Sequence, residues 1–144
     1  MKNIGIIGFG YWGGIIVKNL NEMGFKNITI CEKKEINWDN IGSKYHVVRD
    51  FRELINCDCV FVIVPVENHY EICKYFLSNG INVFCEKPLC KTLEECEDLY
   101  KISEDNNCLL FVDWLFTFNS AVLKIKEFIS INGKPKSIIA NRMN

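Results

Sequence analysis

Six short apolar runs rich in β-branched residues recur along the chain: NIGIIG, NITIC, HVV, CVFVIVP, INVFC and CLLFV. Continuous apolar runs of this length predict strands buried on both faces, where strands with one wet face would alternate. Between the runs, apolar residues fall at helical spacing. Ile15, Ile16, Leu20 and Met23 follow the first run, and Tyr70, Cys73, Phe76 and Leu77 precede the fifth. The predicted helices carry end signals: Gly24 closes the first, and Gly80 closes the one that starts near Asn68. Thr92 with Glu95 makes a capping-box pattern for the next. Repeated strand, helix, strand predicts an α/β fold, a doubly wound and mainly parallel sheet, because parallel neighbours need crossovers and right-handed crossovers cover both faces. A last run, SIIANR, follows the turn NGKPKS and predicts one more strand.

The first run breaks into glycines. Gly8, Gly10 and Gly13 have the G-x-G-x-x-G spacing directly after a strand and at the start of a helix, the context that a dinucleotide-binding turn requires. In such a turn the first glycine permits the tight bend, the second lets the backbone approach a pyrophosphate, and the third lets helix and strand pack. The helix N-terminus adds unpaired N–H groups and partial positive charge. Glu32 ends the second strand, where a carboxylate can accept hydrogen bonds from an adenosine ribose. Lys33 and Lys34 follow and could meet a 2′-phosphate instead, so the expectation is NAD, with NADP open. An ordinary glycine-rich bend is the competing reading of the turn.

A second group of residues gathers at strand ends. The fourth run closes with VPVENH, and the fifth passes into CEKPL. Pro65, Glu86, Lys87 and Pro88 thus lie at the carboxyl ends of strands, the edge where open α/β sheets bind ligands. A lysine there can hydrogen-bond a substrate oxygen and stabilise negative charge as hydride leaves or arrives. The bland alternative is a solvated lysine beside a turn proline. His69 either caps its helix or touches the cofactor.

Composition narrows the picture. With 49% hydrophobic and 24% charged residues in 144, there is apolar material for one folded domain. A net charge of -1 without a basic cluster offers nucleic acid no electrostatic footprint. No apolar stretch reaches the ~20 residues of a membrane helix, and the N-terminus has no signal-peptide pattern, so a cytoplasmic protein is expected. The eight cysteines form no C-x-x-C pair and sit mostly in apolar runs; they are expected to be buried thiols, with no metal site.

With GFGYWG, VPVENH and CEKPL in this order, the sequence resembles the Gfo/Idh/MocA family of NAD(P)-dependent sugar oxidoreductases. The resemblance implies a Rossmann domain over residues 1–118, and over 119–144 a linking helix and the first strand of a substrate domain. It implies that Lys87 is the active-site lysine and that Gly8, Phe9, Gly10, Tyr11, Trp12, Gly13, Glu32, Pro65, His69, Glu86 and Pro88 hold the cofactor. Within the family, YWG with the later FTFNSAVLKIKEFI is similar to the branch acting on nucleotide-linked sugars, such as UDP-N-acetylglucosamine 3-dehydrogenases. Val64, Asp113, Trp114 and Ser120 depart from the family's usual residues. Family members continue into an α/β domain that completes the sugar site and much of a dimer interface. The expected partners are therefore a nicotinamide dinucleotide, a sugar or nucleotide sugar, and further copies of the chain. The alternative is a non-catalytic dinucleotide-binding protein.

Overall fold

The computed structural model describes residues 2–35 and 45–141. The strands are β1 (Asn3–Ile7), β2 (Asn27–Cys31), β3 (His46–Val48), β4 (Cys59–Val62), β5 (Asn82–Cys85) and β6 (Leu110–Val112). They form one sheet in the order β3-β2-β1-β4-β5-β6, parallel at every pairing. The order reverses between β1 and β4. That reversal leaves a crevice at the carboxyl edge, since the loops after β1 and β4 depart to opposite faces.

Helices cover both faces, as the unbroken apolar runs predict. α1 (Tyr11–Glu22) lays Val17 and Leu20 on Ile4, Ile6, Ile28 and Ile30 of β1 and β2. On the other face α2 (His69–Ser78) and α3 (Leu93–Asp105) pack Phe76, Leu77 and Leu99 against Val60, Val62, Val83 and Cys85. Each such fully buried side chain contributes roughly 1.5–3 kcal/mol over its exposed state. Of the positions assigned to the apolar face of α1, Leu20 is buried and Ile16 packs beside the cluster, but Met23 is 72% exposed. The helix has ended by then: Met23 is its C-cap, and Gly24 (φ +90°) turns the chain out of it.

The other end signals behave much as read. Gly80, at φ +71°, follows α2, and the Ile81 N–H donates back to the Phe76 carbonyl. The Thr92 hydroxyl accepts the Glu95 N–H, while the Glu95 carboxylate reaches past the cap residue to the Lys91 N–H. A reciprocal capping box forms elsewhere, where Asp50 and Glu53 cap the 3₁₀ turn Phe51–Leu54.

The chain divides into two compact units, Met1–Asp113 and Trp114–Asn144. The second holds α4 (Ser120–Asn132), capped by the Asn119 side chain, and begins a few residues before the expected boundary at 118 because the 3₁₀ turn Leu115–Phe118 leads into that helix. The strand expected from SIIANR does not form over 137–141. A strand needs a partner, and within Trp114–Asn144 the described residues form no other strand; Arg142 lies outside them. Among the described residues no helix is long and apolar enough to cross a membrane. The eight cysteines are unpaired, four buried and four half-buried.

Candidate functional site

The turn after β1 separates two kinds of glycine. Gly8 adopts φ +93°, and a Cβ there would lie 2.2 Å from the Ile63 carbonyl oxygen; a Cβ on Gly13 would lie 2.3 Å from the Gly8 carbonyl oxygen. The protein's own packing demands both. Gly10 differs, because a Cβ there would meet nothing within 4 Å. It borders a cavity instead. Among the described residues no group needs the room that Gly10 leaves, so that room suits something that arrives from outside. Gly10 is also the N-cap of α1, and no side chain caps the first amides of that helix. Amides left so at a helix start suit an anion on the axis.

The cavity holds about 710 Å³ at the carboxyl edge, over the point where strand order reverses. Its size is that of a small-molecule site, roughly 300–1,000 Å³. Glu32 stands on its wall. One carboxylate oxygen accepts the Phe9 N–H at 2.8 Å and the other the Lys34 N–H at 3.0 Å, so the group is oriented from both sides. A carboxylate has about four lone-pair directions, and two remain for a diol. Arg49 donates from Nη1 to the carbonyl oxygens of Glu32 and Lys34, which ties the loop to the end of β3. Cys31 lines the same wall, and burial, followed by the carboxylates of Asp50 and Glu32, pushes its thiol up to about 11. It is a neutral wall residue near pH 7.

The second constellation is assembled around His69. Its ring is 1% exposed. Nε2 lies 2.7 Å from the Val64 carbonyl oxygen, after β4; Nδ1 lies 3.0 Å and 3.2 Å from those of Pro88 and Leu89, after β5. Carbonyl oxygens only accept, so both ring nitrogens must carry hydrogen for both contacts to be bonds. The geometry therefore calls for an imidazolium. Burial opposes the charge, but the Cys85 sulfur and the carbonyls of Val64 and Pro88 outweigh it and raise the imidazole from 6.5 to about 9. His69 thereby pins the loop of Pro65 to the loop of Lys87.

In that second loop the Glu86 N–H extends the ladder to the Val62 carbonyl at 3.0 Å, the Glu86 carboxylate accepts the Lys87 N–H at 3.1 Å, and the Lys87–Pro88 bond is cis. Lys87 and Pro88 are exposed.

Of the residues expected to form the site, Gly8, Phe9, Gly10, Glu32 and Pro65 line the one cavity. Gly13 supports the turn from behind. Tyr11 and Trp12 are exposed at the start of α1, edge-on to each other with ring centroids 5.4 Å apart. Glu86, Lys87 and Pro88 do not line the cavity; they lie further along the same edge. His69, expected to cap its helix or touch the cofactor, makes no side-chain cap hydrogen bond to α2, and its ring nitrogens lie against carbonyl oxygens of the protein. Arg49, Arg52 and Glu71 went unnoticed in the sequence. No motif or spacing in the sequence marks Glu71, which lies on the exposed side of α2.

A family model described as an oxidoreductase family with an NAD-binding Rossmann fold matches residues 2–114. The chain belongs to the Gfo/Idh/MocA oxidoreductases. Among curated relatives of this family, the 2,7-anhydro-N-acetylneuraminate hydratase of Escherichia coli is 27% identical over 134 residues, covering 90% of this chain and 36% of its own length. A crystal structure of a probable dehydrogenase from Thermotoga maritima superposes with a TM-score of 0.78 at 27% identity, over 90% of this chain and 41% of that one. Scyllo-inositol dehydrogenase from Lactobacillus casei, solved with NAD(H) and scyllo-inositol, shares the fold at a TM-score of 0.77 and 20% identity, over 91% and 41%. The chain thus spans 36% of the length of the Escherichia coli relative and 41% of each of the two solved structures. Membership makes the Gly8–Gly13 turn part of an NAD-binding Rossmann domain of an oxidoreductase family.

Proposed function

We propose that the cavity receives NAD(H) in preference to NADP(H), and that the domain presents it to a sugar or polyol carbon for hydride exchange. One observation carries the reading: a glycine with no internal reason to be glycine and a carboxylate oriented by two amides face the same cavity. Gly10 and the start of α1 would receive the pyrophosphate, and Glu32 the ribose diol. The Glu32 carboxylate repels a 2′-phosphate, and Arg49, which could have met one, is bonded to carbonyl oxygens. When bound, the nicotinamide supplies a site that takes or gives two electrons and a proton as hydride. Lys87 would hold the substrate oxygen by a hydrogen bond, take its proton as the carbinol is oxidised, and return it in the reverse direction. A nucleotide-linked sugar is the finer reading, supported by the resemblance of YWG and FTFNSAVLKIKEFI to that branch.

The second reading, a domain that binds the dinucleotide without catalysing, is favoured by the placement of Lys87 outside the cavity lining. Calorimetric titration with NAD and NADP tests the first reading: tighter binding of NAD supports it, and binding of neither removes it. Lys87→Ala separates the two. Under the catalytic reading it abolishes turnover of nucleotide sugars or polyols and leaves NAD binding intact; turnover equal to the parent's takes the lysine out of the mechanism.

A further inference from the structure

Gly10 marks the pyrophosphate end of the cavity and Glu32 the ribose. What remains lies toward the end of β3 and the start of α2, where Phe51, Arg52, Asn68, Glu71 and Ile72 form the wall. The adenine must go there, because it follows the ribose in the dinucleotide. We infer that the Arg52 guanidinium is the platform on which the adenine ring stacks, a role that rests on the NAD(H) reading above.

The geometry holds this side chain as a plate. Its central carbon lies 4.5 Å from the centroid of the Phe51 ring and 5.9 Å from that of Tyr75. Nη1 lies 3.3 Å from Asp50 and Nη2 3.3 Å from Glu71, one carboxylate at each edge. A guanidinium is planar and weakly hydrated, and aromatic faces attract it on either side. Phe51 serves one side. The Arg52 side chain is 53% exposed and borders the cavity, so it is accessible to a neutral aromatic ring there. The two carboxylates do a second thing: they offset the charge, so the plate offers a flat surface while giving a 2′-phosphate little attraction. Ordering the side chain beforehand also lowers the entropy cost of binding.

The test uses the chain as it is, titrated with NAD, ADP, nicotinamide mononucleotide and nicotinamide hypoxanthine dinucleotide. Arg52→Ala should weaken NAD and ADP on the order of five- to tenfold and leave the mononucleotide, which lacks adenine, unchanged. Arg52→Lys should fail to restore affinity, since it keeps the charge and loses the plane. The hypoxanthine analogue should bind the parent within about twofold of NAD, because stacking needs the ring system and not its amino group. Equal NAD affinity in parent and Arg52→Ala overturns the inference while the NAD(H) reading stands. Full recovery in Arg52→Lys overturns it in favour of simple charge attraction. A parent that binds no dinucleotide overturns the reading itself. Thermal unfolding of both variants shows that they fold; should Arg52→Ala fail, Arg52→Gln keeps a planar end on a shorter stem, and stacking predicts affinity no worse than Arg52→Lys gives.

Discussion

Replacing His69 with alanine should destabilise the domain in a pH-dependent way that no purely apolar core position would show. Two effects add. The substitution leaves the buried carbonyls of Val64, Pro88 and Leu89 without the ring's hydrogens, at about 1–3 kcal/mol for each group that finds no water. The second effect is proton linkage. The imidazole is raised from 6.5 to about 9 in the folded protein. A raised imidazole means that protonation of the ring favours the folded state. Since the folded pKa is the higher, this contribution is complete below pH 6.5 and is lost as pH rises to about 9. The thiols titrate elsewhere: Cys31 and Cys59 are pushed up to about 11 and Cys90 to about 12, while the neighbouring Cys73 sulfur and burial hold Cys85 higher still. His46 is present in both proteins and cancels in their difference. Urea unfolding of parent and His69→Ala at pH 6, 7.5 and 9.5 measures the gap, which should narrow by more than about 1 kcal/mol across the series. Nitrogen-15 spectra of the ring at pH 7 should show hydrogen on both nitrogens. A gap that stays constant with pH, or a neutral ring at pH 7, refutes the imidazolium clamp.

The glycines divide in the same kind of experiment. Gly8→Ala and Gly13→Ala each place a Cβ within 2.3 Å of a backbone carbonyl oxygen, and both should lose more than about 3 kcal/mol of unfolding free energy. Gly10→Val should unfold within about 1 kcal/mol of the parent yet lose NAD binding at least tenfold by calorimetry, since its side chain enters only the cavity; equal affinity would make the turn a structural bend. Glu32→Gln keeps an acceptor for the Phe9 or Lys34 amide but removes the charge, and the ratio of NADP to NAD dissociation constants should fall by about tenfold or more. An unchanged ratio would assign the preference to another group.

Much of the fold was legible because its signals are local. Unbroken apolar runs, helical spacing between them, and glycines after helices each follow from a few neighbouring residues, and the parallel sheet with helices on both faces followed from their alternation. The last strand failed for the complementary reason. SIIANR has strand composition, but composition cannot provide an edge to pair with, and pairing is not a local property. At the site, Gly10 and Glu32 could be read because a turn and a strand end lie at known places along one unit. His69 and Arg52 could not. The partners of His69 are carbonyls nineteen and twenty residues later and five earlier, and those of Arg52 are a ring beside it and a carboxylate nineteen residues on. Backbone carbonyls carry no sequence signature at all. A histidine four residues after a proline therefore looks like a ligand contact until the fold shows where its two nitrogens go. Its place between two loops follows from β4 and β5 being neighbours: the side chain that opens α2 stands where both strands end, and a single ring spans them. That adjacency, one strand over from the β1/β4 reversal where the cavity lies, leaves two strand-end loops side by side, and a doubly protonated ring ties them with donors on both sides.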